Sequence, residues 1–500
     1  MRGVQLAELT GTAPSGVEAA LDVVAGFDGA LLQGLGRLDA TGTSALAGLA
    51  GAVAATPLGP RVAEAVEKIT AGSIADDSLA LLAGARSALL GAVHDALLAQ
   101  LDAARGRERR PWTPPAGGAP EGSAGAAAPG GEGPLAGARS WLTEVAITGW
   151  RGVDADSVAA AAQVVSGLLA APGRRRLAVL LDGLVAELRA GSPLVTLDRV
   201  PARRWGDLWS RAVLLARPGD GAPSGGNPAG TNDGATDGGD AVPAGPGGSG
   251  GETVSGRLLV LGVDVHEHPT AVQAQVHAIL EPTGGAPSRL VRTSVAAAKV
   301  DTVLGPTMWQ LLGDHPVLLG ALAHGVGLEV TDLVLRPGGD LIWRDDRARP
   351  AEPADPFAVA RVQLGDVLAD GAPPLDRHPA GIAEPVLLEG YTASRDSDGG
   401  VTFDVDGTAI GATIDRLPTC GPLTPELVAA SSACIGLLRW DAGRWLVQPL
   451  AVQVATKRKT TVAQTGDWAL GADGPRASKA AKATDAVSVL RERAGRLLRR

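Results

Sequence analysis

The sequence predicts a multidomain protein, with all-α units in its N-terminal half and a mainly antiparallel, β-rich α+β domain in its C-terminal half. Three observations predict it. Apolar residues recur at three- and four-residue spacings through the segments before residue 217, the period of a helix face. After residue 254 the apolar period shortens toward two, the period of a half-buried strand. Two stretches, residues 113–134 and 218–253, carry almost no large apolar side chains. Such composition cannot offset its ordering entropy, so both are expected to be flexible linkers. At 500 residues the chain is also too long for one ordinary core.

The N-terminal unit, residues 1–112, opens with Gly-interrupted helical segments at 15–55 and 60–71. Its strongest helix is "DDSLALLAGARSALLGAVHDALLAQLDAARGRERR". There Leu79, Leu82, Leu89, Leu90, Val93, Leu97 and Leu101 form one stripe. Asp76 and Asp77 suit the positive helix start, and the arginines at 105–110 suit its negative end. A second helical unit, residues 135–217, offers a helical hairpin in "DADSVAAAAQVVSGLLAAP" and "RLAVLLDGLVAELRAG". A further helix opens at Pro201.

The β-rich domain is expected over residues 254–456. Strand-like runs are "RLLVLGVDVHEH", "TAVQAQVHAILEP", "RLVRTSVAAA", "VTDLVLRPGGDLIWRD" and "CIGLLRWDAGRWLVQPLAVQV". Turn chemistry falls at Pro337–Gly339, Asp406–Gly407 and Asp441–Gly443. Short helices are expected at 301–312 and 424–430. A basic tail, residues 457–500, carries eleven basic residues against four acidic ones, so it is net +7 and leaves −16 on the rest of a chain whose total is −9.

Three motifs suggest chemistry. "VTFDVDGTAI", residues 401–410, resembles the catalytic loop of haloacid-dehalogenase-type phosphohydrolases. That resemblance would make Asp404 a nucleophile and Asp406 an acid/base beside Mg²⁺. The loop requires a parallel sheet and further downstream residues, whereas only 90 residues follow Ile410. An Asp-Gly hairpin turn between Val405 and Ala409 is the expectation. In "VDVHEHP", Asp264, His266 and His268 share one strand face, and Gln273, Gln275 and His277 join it if the chain turns at Pro269. This set could hold a divalent metal. A half-buried antiparallel sheet yields the same polar face without a ligand, and a solvated face is the expectation. "RRWGDLWSR" interleaves Arg203, Arg204 and Arg211 with Trp205 and Trp209. On a helix the tryptophans join Leu208 and Ala212 in one buried stripe, and Asp207 pairs with Arg211.

The tail supplies the candidate partner-binding residues, Arg491, Arg493, Arg496, Arg499 and Arg500. They surround a narrow apolar line on a terminal helix that could meet nucleic acid, an acidic partner or the chain's own acidic body. Nucleotide-binding glycine loops, a zincin motif and a nucleophile elbow are missing from the sequence. Cys420 and Cys434 alone make neither a disulfide framework nor a four-thiolate zinc site. No catalytic residue, cofactor or resident metal is therefore expected. The N-terminus lacks a signal-peptide core and no charge-free apolar run reaches about 18 residues, so a cytoplasmic protein without a membrane partner is expected.

The segment "VPARRWGDLWSRAVLL", followed by a strand-rich half, resembles a group of uncharacterised bacterial accessory proteins encoded near MoxR-type AAA+ ATPases, von Willebrand A proteins and SWIM zinc-finger proteins. The resemblance implies an accessory subunit with protein partners. The expectation is a non-catalytic interaction protein. Nucleic-acid binding through residues 457–500 is the alternative, and a metal-dependent phosphohydrolase comes last.

Overall fold

A computed structural model describes residues 1–113, 132–169, 174–190, 200–217, 251–268, 271–300, 303–455, 459–471 and 474–475. The first half is helical: α1 (Gly3–Gly11), α2 (Val17–Gln33), α3 (Ala40–Ala52), α4 (Gly59–Thr70) and α5 (Asp76–Arg105). A short strand, β1 (Arg109–Arg110), follows, then α6 (Glu132–Thr148), α7 (Ala155–Leu169), α8 (Arg175–Ala190) and α9 (Ala202–Leu215). The second half is mainly antiparallel β. It comprises β2 (Glu252–His268), β3 (Ala271–Pro282), β4 (Arg289–Ala298), α10 (Pro316–His324), β5 (Val326–Arg336), β6 (Asp340–Ile342) and β7 (Ala348–Pro353). Then come α11 (Pro356–Gln363), β8 (Ala369–Asp370), β9 (Glu384–Glu389), β10 (Thr392–Arg395), β11 (Val401–Val405) and β12 (Thr408–Ala412). Last are α12 (Pro425–Ala429), β13 (Ala433–Asp441), β14 (Arg444–Ala455) and β15 (Thr460–Gln464).

The two helical segments are not separate units. Phe27, Leu31, Leu49 and Leu82 from before the first low-complexity stretch share one core with Trp141, Leu181, Trp205 and Trp209 from after it. A helix with a single apolar stripe must bury it somewhere, and here the stripes of both segments face each other. At its centre Arg86 donates from Nε to Asp28 Oδ1 at 2.6 Å and from Nη2 to Asp28 Oδ2 at 3.1 Å. Gly206 presses on that carboxylate: a Cβ there would lie 2.1 Å from Asp28 Oδ1.

The α5 helix ties the halves together. Its first half lies in the helical core, while Val93, Leu97 and Leu101 pack with Val386, Phe403 and Trp445 of the β half. Burying each such side chain contributes about 1.5–3 kcal/mol. Among the described helices it alone has the length and apolarity of a membrane span, and both of its ends serve protein cores instead. Nor is the unit that ends at residue 112 separate from the β half, because β1 pairs in parallel with β8.

In the β half, β2-β3-β4-β6-β5 form a closed ring, because β2 also pairs with β5 and β7 adds outside β5. Alternation decides its faces. Val263, Val265, Val272, Ala274 and Val276 point into the ring's core, as their period of two predicts. The second sheet runs β10-β11-β12-β14-β13-β9, with β15 on β14. The two sheets meet through Leu259, Leu261, Ile279, Leu387, Ile435 and Ala451. Gly262 permits the close crossing, since a Cβ there would lie 2.7 Å from Leu450 Cβ.

"VTFDVDGTAI" is a hairpin: Phe403 pairs with Ile410 and Val405 with Thr408. Asp406 (φ 52°) and Gly407 (φ 85°) both adopt the left-handed region that a two-residue type I′ turn requires. The expected boundary of the tail moves. Residues 460–468 are not tail but strand β15 and a 3-10 turn whose Thr465 and Asp467 are buried. Arg491, Arg493, Arg496, Arg499 and Arg500 lie outside the described residues, as do most of both low-complexity stretches.

Candidate functional site: a polar cleft

The helical core, the ring and the segment 369–385 enclose a cleft of ≈ 1110 Å³. Its floor is the polar face of "VDVHEHP" and the strand after it. His266 on β2, Gln273, Gln275 and His277 on β3, and Arg292 and Ser294 on β4 all line it. The expected solvated face is thus roofed in part, while His266 and His268 stay exposed. Asp264 and His277 on that face are 2 % and 3 % exposed. The helical unit supplies the roof, which local periodicity could not show: His94 from α5 and Asp207 and Arg211 from α9.

Most charged groups in and around the cleft are committed to one another. Asp264 accepts from Arg439 Nη2 at 2.6 Å and Gln448 Nε2 at 2.7 Å, and lies 2.9 Å from His266 Nε2. Burial opposes its ionisation, but His266, Arg439 and Gln448 together hold its carboxyl well below the usual range. Glu384 is treated the same way. Burial works against its charge, and Arg109 and Arg107, at 2.9 Å each, hold it low. Both arginines also bind Asp102. Arg211 bridges Asp207 and Asp376 at 3.6 and 3.5 Å. Arg292 grips Asp340 with two hydrogen bonds, 2.5 and 3.1 Å long.

Some groups are left over among the described residues: His378 Nε2 and Arg211 Nε are buried without a hydrogen bond, and two more stand on the ring. Arg336, half-buried at the end of β5, lines the cleft and has no hydrogen-bonded or ion-paired carboxylate. Burial lowers its pKa, with only Asp340 acting the other way at longer range. His277 Nε2 is buried without a hydrogen-bond partner. Burial pushes the His277 imidazole down to about 4, so it is neutral at pH 7.

The metal set read from the sequence does not converge. Across β2 and β3, His277 stands opposite Gly262, while His266 stands opposite Gln273 and His268 opposite Ala271. Four residues of strand, about 13 Å, separate the level of His277 from that of His266. Asp264, the carboxylate of the set, is already taken by Arg439 and Gln448. No group of three or more metal-ligating side chains occurs among the described residues.

The phosphohydrolase pair fares no better. Asp404 is exposed and accepts from the Gly407 N–H at 2.8 Å. That bond closes the turn, and Asp404 lies outside the cleft. Trp205 and Trp209 are fully buried, as the helical stripe predicts. Arg203 donates to the Leu21 carbonyl at 3.0 Å and Arg204 pairs with Glu187, so neither arginine forms a stacking platform with them. The residues missed from the sequence are Arg336, Arg292 and Asp340. The Pro-Gly-Gly turn at 337–339 flagged their hairpin, but their charges read as ordinary strand-end polarity. No protein-family model, curated protein or solved structure matches the chain.

Proposed function

We propose that this chain is a cytoplasmic binding protein without chemistry of its own, whose cleft receives an anionic group of a partner. The observation that carries the reading is the cleft's charge pattern. Arg109, Arg211, Arg292 and Arg439 each have a carboxylate partner, and Arg336 beside them has none. A half-buried guanidinium facing an open cleft gains most from an incoming carboxylate or phosphate, which it can bind bidentately. Unpartnered His277 Nε2 adds a second polar contact on the same floor. The ion-paired carboxylates argue for binding over acid/base chemistry, since a general acid or base needs a pKa near the working pH and Glu384 and Asp264 are held far below it. Such a role accords with the accessory-subunit function implied by the resemblance of "VPARRWGDLWSRAVLL".

Titration calorimetry with citrate as the anion probe, at low salt and pH 7, tests the reading on the full chain. Saturable one-to-one binding that weakens with salt and disappears in Arg336→Gln is expected. Binding unchanged in that variant, or no binding by the wild type, would overturn it.

A further inference from the structure

The ring is closed at one point only on one of its seams. Strands β4 and β6 run parallel and pair through Arg292 and Asp340 alone. Beyond that pair they part, and the two walls of the gap, Ser294–Ala298 and Leu341–Trp343, both line the cleft.

The main-chain direction on β4 follows from two hydrogen bonds. The Leu290 N–H donates to Leu368 O and the Arg292 N–H to Gly339 O, both at 2.8 Å, so even-numbered residues of β4 face away from β3. The β3–β4 register is unbroken from Ala271↔Ala298 to Leu280↔Arg289. Ser294, Ala296 and Ala298 therefore also turn their N–H and C=O groups outward, into the gap. No described group bonds to them. Protein edges of this kind are ordinarily blunted by lysine, proline or a covering element. Here the side chains are Ser, Ala and Ala, and the next residue, Lys299, turns inward to donate to Val303 O at 3.0 Å.

We infer that an extended acidic segment of a partner protein docks in this gap by adding a strand to the outer edge of β4. The inference rests on the anion-binding reading above and names the ligand that carries the anion. Residues 293–298 span about 20 Å of edge, room for five or six residues of peptide. Main-chain pairing with Ser294, Ala296 and Ala298 supplies affinity with little sequence demand. The small side chains add little bulk along this edge, and the 3-10 helix Gly305–Leu312 packs against β4 and lines the same cleft through Leu311 and Leu312. Charge selects the partner: the gap begins at the Arg292–Asp340 pair, Arg336 stands opposite Asp340 across β5 and β6, and an acidic side chain there gains a counter-ion. Buried and unpartnered His277 Nε2 lies on the same floor.

Selection of a phage-displayed random hexapeptide library on the full chain, followed by titration of the winning synthetic peptide, tests the inference. Acidic peptides are expected to be enriched. Ala296→Pro removes one outward N–H and leaves the β3 ladder intact, so it should weaken the peptide at least tenfold while citrate still binds. N-methylating alternate peptide amides should weaken binding equally, which keeps the test decisive if Ala296→Pro misfolds. Enrichment of no peptide alongside normal citrate binding would overturn strand addition and leave the anion site standing. Equal peptide affinity in Ala296→Pro or for the N-methylated peptides would do the same. Loss of both ligands in the wild type would remove the anion site itself. A dimer of the full chain in sedimentation velocity, dissolved by Ala296→Pro, would give the edge to a second copy and overturn the choice of partner.

Discussion

Arg292 on β4 clasps Asp340 on β6 through two hydrogen bonds, Nε to Oδ1 at 2.5 Å and Nη2 to Oδ2 at 3.1 Å, at the single point where the two strands pair. The clasp closes the ring at its weakest seam. It also occupies the carboxylate nearest to Arg336 in the register. Replacing Arg292 with Ala frees Asp340 to neutralise Arg336. Citrate affinity is therefore expected to fall even though Arg336 is intact, together with faster hydrogen exchange at Asp340–Ile342. The pair is about one-third exposed, so stability should drop by only about 1–2 kcal/mol. Unchanged citrate binding in Arg292→Ala would show that Asp340 does not compete for Arg336.

His277 makes the fold sensitive to mild acid. Its folded pKa, pushed down by burial to about 4, lies below the ordinary value of 6.5. The unfolded chain then binds the proton first, so stability is full above pH 6.5 and falls as pH drops toward 4. Asp264, Glu384, Arg292 and Arg439 all act on this imidazole, and burial likewise lowers His94 and His378 at the cleft. The loss assignable to His277 is roughly 3 kcal/mol. Urea unfolding at pH 7 and pH 4.5 should show a smaller difference in His277→Gln than in the wild type. An equal difference in both would exclude His277 as the acid-sensitive group.

The buried pair in the helical core predicts a strongly unequal mutant series. Arg86 and Asp28 are each about 1 % exposed, and Arg86 also donates to the Arg203 carbonyl at 3.1 Å. Arg86→Met strands a buried carboxylate and should cost about 3–5 kcal/mol. Adding Asp28→Asn removes the stranded charge and should recover part of that loss. A double variant less stable than Arg86→Met would contradict this account.

The hairpin at residues 401–412 separates a backbone role from a catalytic one. Gly407 has φ 85° and open space around an added Cβ, so Gly407→Val should cost about 1–2 kcal/mol by backbone strain alone. Asp404→Asn keeps the acceptor for the Gly407 N–H and should be nearly neutral. Any phosphate release by the chain should be unaffected by Asp404→Asn, measured with Mg²⁺ present.

Both thiols should be inert in the native state. Cys420 and Cys434 are buried, and burial raises the pKa of each. The thiolate is the reactive form, so neither should be alkylated by iodoacetamide until the chain unfolds. Modification at native rates typical of an exposed thiol would show that the sheet opens around them.

Much of the secondary structure was legible because it follows from local periodicity. The stripe from Leu79 to Leu101, the alternation of Val263 to Val276, and the Asp-Gly turn at 406–407 each express a spacing that one element must obey. The polar floor was legible in part: alternation puts Asp264, His266, His268, Gln273, Gln275 and His277 on one face, and all but the exposed His268 line or flank one cleft. Their surroundings were not legible. Whether that face meets water or a roof depends on α5 and α9, which lie far away in the chain.

By itself, then, the sequence determined which residues share a face, where the chain turns, and that helices give way to antiparallel strands. Only the tertiary structure decided that the helical segments share one core and that α5 joins the two halves. It alone also decided which arginine of the cleft is left without an ion pair among the described residues. Pairing of charges depends on distance through space, and strand closure on register between distant segments. Arg336 and Arg292 are alike in sequence, as cations at strand positions. What separates them is the position of one carboxylate, Asp340, that Arg292 holds in a bidentate grip and Arg336 does not.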